Sequence, residues 1–364
     1  MQNEIVDSDV HNTLASNDLL LPYLSRRWAR EVERFGLRRP DSIGFFATRP
    51  RRSAARTDSW PAGGGVPGGD LGLMREQLLD RYPIAAAILN PINQTTIGAQ
   101  PALQSEALCR ALNDFTMAEW IERDERLFGA ICVPCEDAEL AAAEAHRLGS
   151  HPRMVQVLLN VRTREPLGNR RFWPLYEAAV EHGLPVAVHV GGHGGNLITG
   201  AGWPSYYFED HAGYPQSFQS QMISLVFEGV FERFGDLKIV LQEGGFAWMT
   251  WLMWRMDSAW ERFRDEVPDL ERAPSEIVRE HFWFTTQPIE EPEKPAQFAQ
   301  LWDDLAMPTK ALFASDYPHW DFDDPDRALP SALDAETKRA VLGGNARALY
   351  PRLAGARVPE GVAR

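Results

Sequence analysis

Eight short apolar runs alternate with helix-length stretches along almost the whole chain, and this alternation constrains the fold more than any other feature. The runs are Ile5 to His11, Ala85 to Asn90, Leu127 to Pro134, Met154 to Asn160, Pro185 to Val190, Leu237 to Glu243, His281 to Gln287 and Ala311 to Asp316. Most lack an alternating polar face, as expected of parallel strands covered on both sides. Helical stretches fall at Leu19 to Phe35, Leu73 to Tyr82, Ala102 to Arg123, Ala138 to Leu148, Trp173 to His182, Gln216 to Phe234, Phe246 to Arg264, Pro292 to Leu305 and Asp334 to Tyr350. This order predicts an α/β fold, a single (β/α)8 TIM barrel over residues 1–352 with a frayed tail at 353–364. With 364 residues and 44% hydrophobic content, the chain can bury a core of that size. No solenoid repeat and no Pro/Ser linker divides it.

Composition excludes several partners. A net charge of -14, from 51 acids against 37 bases, argues against nucleic acid and against anionic membrane surfaces. There is no apolar run of bilayer length and no basic-then-apolar leader at the N-terminus, so a cytoplasmic protein is expected. Cys109, Cys132 and Cys135 are too few for a disulfide framework, and the lone Cys132-Val-Pro-Cys135 pair reads as small residues at a strand end.

One segment breaks the pattern. Residues 45–72 are rich in Arg, Gly and Pro and show no hydrophobic period. A loop this long inside a compact domain suggests a flap over a site. One of Arg49, Arg51, Arg52 or Arg56 could clamp a substrate carboxylate there, with Arg52 as the candidate, or the arginines could simply be solvated.

The chemistry is expected where the strands end, because barrel enzymes build their sites at that rim. Ala311-Leu-Phe-Ala-Ser-Asp316 delivers a carboxylate just before Tyr317-Pro318, although an acid there could also cap the next helix. The first run supplies Asp9 and His11, which share a face with Asp7 at period two. The fifth supplies His189, and the sixth supplies Glu243. Imidazoles with carboxylates suit a divalent ion, and a carboxylate-rich set argues against a closed structural zinc site. His189 alone could be a hydrogen-bonded core histidine; the joint placement carries the argument. Beyond the strand ends lie the glycine-rich stretch Gly191-Gly-His-Gly-Gly195, which includes His193, and the aromatic or imidazole residues Trp203, Tyr207, Trp248, His319 and Trp320. These predict an aromatic-walled pocket for a flat or cyclic small molecule. With twelve tryptophans in the chain, some of them could equally be core residues.

The motifs Val6-Asp-Ser-Asp-Val-His11, Leu184-Pro-Val-Ala-Val-His189, Ile239-Val-Leu-Gln-Glu-Gly-Gly245, Phe313-Ala-Ser-Asp-Tyr-Pro-His319 and Gly343-Gly-Asn-Ala-Arg-Ala-Leu-Tyr350 resemble the amidohydrolase superfamily. The resemblance is to the branch that includes aminocarboxymuconate semialdehyde decarboxylase and the dihydroxybenzoate decarboxylases. It implies a distorted barrel, a homodimer, and one divalent ion held by Asp9, His11, His189 and Asp316, with zinc as the first expectation and manganese or iron as alternatives. Two positions depart from the family pattern. The first strand carries Asp9-x-His11 where the family has His-x-His or Glu-x-His, and Glu243 stands where a histidine is usual.

A glutamate there can act as a general base or as an extra ligand, but not as a cationic donor. The sequence therefore points first to a hydrolase of a small amide, lactone, ester or cyclic ketone, with Asp316 and Glu243 handling the proton of an activated water. The alternative is nonoxidative decarboxylation of an aromatic or unsaturated acid, with His193 or His319 supplying the proton. A third reading is a catalytically silent barrel that binds ligands through its aromatic loops.

Overall fold

The computed structural model describes residues 4–37, 54–98, 100–192 and 200–359. Eight strands lie in sequence order in one sheet: β1 Ile5–Val10, β2 Ile84–Leu89, β3 Leu127–Cys132, β4 Met154–Arg162, β5 Val186–Gly192, β6 Ile239–Gln242, β7 Phe282–Thr285 and β8 Ala311–Leu312. Every neighbouring pair is parallel. The sheet curls back on itself through backbone bonds between β1 and the segment after β8. Ser8 N donates to Phe313 O at 2.9 Å, Asp316 N to Asp9 O at 3.1 Å and His11 N to Tyr317 O at 2.8 Å. The result is the expected TIM barrel, with helices around it.

Local chemistry explains the helices. Ala138–Leu148 starts at Asp137, whose carboxylate accepts the Leu140 N–H at 3.1 Å. Pro274–His281 and Pro295–Leu305 each open on a proline, which fits a first-turn position that needs no N–H. The strands are buried on both faces, so their side chains merge with the inner sides of the helices into one core.

The C-terminal motif closes the floor of the barrel. A Cβ on Gly343 would sit 2.7 Å from Glu4 O, so only glycine lets this segment reach the start of β1. Asn345 Nδ2 donates to Pro308 O at 2.9 Å and to Ala311 O at 2.8 Å, tying the same turn to β8. The tail is docked at its start: Leu353 is buried, and Arg347 donates to the Leu353 and Ala356 carbonyls.

Some boundaries differ from expectation. The last strand spans only Ala311–Leu312, so Asp316 lies in a loop beyond it rather than at the end of a long strand. The seventh strand is preceded by a helix, Pro274–His281, that the sequence pattern did not reveal. The helix expected from Gln216 begins at Tyr207. Asp334 to Tyr350 is helical from Ala335 to Leu349, with a wider π turn at Ala340–Gly344 inside it. No helix among the described residues is long and apolar enough to cross a membrane.

Candidate metal centre

The strand-end residues converge. Asp9 Oδ2 lies 3.2 Å from His189 Nε2, His11 Nε2 is 2.9 Å from Asp316 Oδ1, and Glu243 Oε2 is 3.3 Å from His189 Nε2. His11 also stands 3.7 Å from Asp9 Oδ1. Asp9, His11, His189, Glu243 and Asp316 are all buried, and Asp316 has no exposed surface.

Each member is aimed by its surroundings. His11 Nδ1 donates to Asn90 O at 2.7 Å, and His189 Nδ1 donates to Val190 O at 2.7 Å. A carbonyl can only accept, so each Nδ1 carries the proton and each Nε2 faces the cluster, an orientation typical of metal-bound imidazole. Asn90 Nδ2 donates to Asp9 Oδ1 at 2.8 Å and leaves Oδ2 for the centre. Glu243 and Asp316 have φ of 62° and 57°, a region that costs a non-glycine residue about 1–3 kcal/mol. The Glu243 turn is braced from three sides. Its N–H donates to Thr285 Oγ1 at 3.1 Å, Trp248 Nε1 donates to the Gly244 and Gly245 carbonyls, and a Cβ on Gly244 would strike the Phe218 ring at 2.7 Å.

The residues fit a cation. Asp9 Oδ2, His189 Nε2 and Asp316 Oδ2 are buried without a hydrogen-bond partner among the described residues. Three such atoms around one space are costly unless a metal satisfies them. Their donor atoms fall into two overlapping sets of metal-like spacing, Asp9 with His11 and His189, and His11 with Glu243, Asp316 and His319. A third grouping, His146 with Glu181 and His182, is largely exposed.

The electrostatics show how tightly these groups are coupled. Burial alone would raise Asp316, but the His319 and His11 rings hold it well below the carboxylate range. Burial also opposes the downward shift of Asp9, which His189 and His11 produce. For His11 burial favours the neutral ring, yet Asp9 and Asp316 lift it to about 9. Two neighbouring acids move the other way: burial pushes Asp7 up to about 7, and burial with the charge of Asp316 pushes Asp323 up to about 7.

Around this centre, His319 Nδ1 lies 2.7 Å from Asp316 Oδ1, and its ring is 4.7 Å from that of His11. Trp320 is 45% exposed and donates to Tyr207 OH at 3.3 Å, so these two aromatics meet beside the rim. Trp203 is half-buried in the segment before Tyr207. Trp248 is placed differently: it is buried, with its indole N–H spent on the Glu243 turn, so it buttresses the rim rather than lining an opening. His193 and Arg52 lie outside the described residues, as do Arg49 and Arg51. Arg56 is paired with Asp58 through two bonds of 2.9 and 2.7 Å and lies over Phe322, so it is not available as a carboxylate clamp. The described part of the long loop nonetheless reaches the site. Ala55 bridges His319, Trp320 N donates to Ala54 O at 2.8 Å, and Thr13 N donates to Gly68 O at 2.8 Å. The three cysteines are free and buried, and burial raises their thiols.

Sequence reasoning missed the amide network beneath the centre. Gln156 Nε2 donates to Asn90 Oδ1 at 3.0 Å, Asn90 Nδ2 also reaches Gln242 Oε1 at 3.1 Å, and Gln242 Nε2 donates to Ser8 O at 2.9 Å. A polar amide inside an apolar strand, as in Met154-Val-Gln-Val-Leu, is the signal that could have exposed it.

A parallel barrel whose strand ends gather buried imidazoles and carboxylates in this way defines a metal-dependent TIM-barrel enzyme. The chain belongs to the amidohydrolase family, whose model matches residues 6–352. Among curated proteins, it is 25% identical over 297 residues to a gamma-resorcylate decarboxylase from Polaromonas sp., covering 76% of this chain and 86% of that one. Among solved structures, a dihydroxybenzoic acid decarboxylase from Polaromonas sp. with bound manganese and 2-nitroresorcinol is 19% identical, with a TM-score of 0.66 over 96% of this chain and 97% of that one. A manganese-bound 5-carboxyvanillate decarboxylase from Novosphingobium aromaticivorans is 17% identical, with a TM-score of 0.70 over 96% of each chain. The relatives named here are decarboxylases, which turns the preference away from hydrolysis.

Proposed function

We propose that the protein is a divalent-metal-dependent, nonoxidative decarboxylase of a hydroxylated aromatic acid. The observation that carries this reading is the match to a decarboxylase across 76% of the chain, joined to a rim cluster with the donors a metal needs. Asp9, His11, His189 and Asp316 would hold the ion, and manganese suits a set rich in carboxylate oxygen. When bound, the ion supplies positive charge for the carboxylate or phenolate oxygens of the substrate.

The chain's own residues supply position and proton. Decarboxylation leaves the electron pair of the broken C–C bond on the ring carbon, which takes up one proton as carbon dioxide departs. His319 suits the donor role. With Nδ1–H given to Asp316 Oδ1 at 2.7 Å, Nε2 is the position that can hold the mobile proton. His319 would then take the donor role that the sixth-strand glutamate cannot, which answers the main objection to decarboxylation. Trp320 and Tyr207 offer flat surfaces beside the rim for an aromatic ring.

The test is to strip the protein with chelator, reload it with manganese or zinc, and offer 2,6-dihydroxybenzoate and related hydroxybenzoates. Carbon dioxide release, with one solvent deuteron entering the ring in D2O, is the expected outcome. Metal-loaded protein that releases none while cleaving lactones or amides would return the assignment to hydrolysis.

A further inference from the structure

We infer that Glu243 is itself a ligand of the metal, so that the ion sits among five protein side chains: Asp9, His11, His189, Glu243 and Asp316. The inference rests on the metal-site part of the reading above but not on the reaction.

Geometry supports it first. Donors in adjacent positions at about 2.1 Å from one ion lie about 3.0–3.4 Å apart. Glu243 Oε2 to His189 Nε2 is 3.3 Å and Asp9 Oδ2 to His189 Nε2 is 3.2 Å, so each carboxylate stands from this ring nitrogen as one ligand stands from the next, and Glu243 also keeps metal-like spacing to His11 and Asp316. His189 Nε2 makes no hydrogen bond among the described residues, while its Nδ1 is committed to Val190 O.

Charge supports it next. Asp9, Glu243 and Asp316 bring three carboxylates into one buried space, where His11 and His319 both bond the same oxygen, Asp316 Oδ1. A dication between Asp9 and Glu243 supplies what these rings do not. The turn that carries Glu243 is also built for position rather than freedom. It holds φ at 62°, and Thr285, Trp248 and Phe218 brace it. Strain retained under such bracing marks a residue held for use.

The chemical consequence is a harder centre. Three carboxylates and two imidazoles favour manganese over zinc more than a set with two carboxylates does. Filling a further position with protein also leaves one fewer place for water.

The experiment titrates chelator-stripped protein with manganese alone, reading free ion by electron paramagnetic resonance and exchangeable waters on the bound ion by water-proton relaxation. Glu243→Gln should weaken binding by more than the roughly 10–100-fold usual for an outer partner, and add one exchangeable water. Unchanged affinity and water number would overturn the assignment, and so would weaker binding without the added water, which is the signature of an outer role. Glu243→His guards against a folding failure in the first variant. It should still bind one ion, with its preference moved toward zinc, whereas an unmoved preference would overturn the proposal. The readouts are independent of turnover, so native protein that binds manganese through Glu243 yet releases no carbon dioxide would sink the decarboxylase reading and leave this one standing.

Discussion

Tyr350, on the floor of the barrel, donates its hydroxyl to Gln156 Oε1 at 2.6 Å, and this one bond orders the amides beneath the metal centre. With Gln156 Oε1 accepting from the phenol, the NH2 end of the amide points the other way. Its Nε2 must then face Asn90 Oδ1, and Asn90 must turn its own NH2 toward Asp9. The C-terminal motif thus reaches the rim through three hydrogen bonds.

Tyr350→Phe removes the first donor and leaves Gln156 Oε1 buried without that bond. The expected loss is about 1–3 kcal/mol of stability. Manganese affinity should fall by about tenfold as Asn90 loses its fixed orientation. Thermal melting of the stripped protein, compared with manganese titration, separates the two effects. A variant that melts earlier but binds the ion as the native protein does would confine Tyr350 to the core.

His319→Ala should leave one metal ion per chain and lower the decarboxylation rate by about 10²–10⁴-fold, the range for a missing proton donor. Asp316→Asn should lose both metal affinity and activity, because Asp316 contacts His11 and His319 through one oxygen and offers the other to the centre. Metal analysis beside a carbon dioxide assay checks both. If His319→Ala retains full rate, the proton comes from elsewhere.

The barrel was legible because its strands are short runs between helix-length stretches, and the rim acids because several of those runs carry an ionisable residue at or next to their stops. Asp9, His11, His189 and Glu243 stand at such stops, and the structure brings them together with Asp316. What lies beneath them was not legible. Asn90, Gln156 and Gln242 are neutral, and their pairing depends on strand register across many residues. The left-handed backbone at Glu243 and Asp316 left no trace either, since glutamate does not favour it and aspartate adopts it only occasionally. The choice between hydrolysis and decarboxylation turned on the proton donor. The sequence could name His319 for that role but could not place it against Asp316, 2.7 Å away.

Acid should loosen the wall of the barrel before the centre. Asp124 accepts from Arg75 Nε at 2.8 Å and from Arg126 Nε at 2.9 Å, and although burial opposes it, these arginines hold its carboxyl at about 2. A carboxyl depressed in the folded state stabilises above its unfolded pKa, and this contribution is lost as pH falls through the folded value. The window is therefore roughly pH 4 to 2, and the amount is roughly 1 kcal/mol once solvent screening is allowed for. Denaturant unfolding at several pH values should show native protein losing this increment and Asp124→Asn, already weaker at neutral pH, losing less.

Gly68 joins the long loop to the centre and tolerates no side chain. Its φ is +71°, and a Cβ there would lie 2.7 Å from His11 O and 3.0 Å from Thr13 Oγ1. Gly68→Ala must therefore either strain the loop or push on the backbone that carries His11, whose N–H is tied to Tyr317 O. The cost in stability is expected at about 1–2 kcal/mol, from the left-handed conformation alone. The displacement should also reach the ion, because His11 Nε2 and Asp316 Oδ1 are set by the same short segment. Manganese titration and melting of Gly68→Ala should move together. The substitution Gly64→Ala is the control, since φ there is +89° but nothing lies within 4 Å of the added carbon. It should lower stability by a similar strain term and leave metal affinity unchanged. Equal loss of affinity in both variants would mean that the loop acts on the centre through its general order and not through the contact at His11.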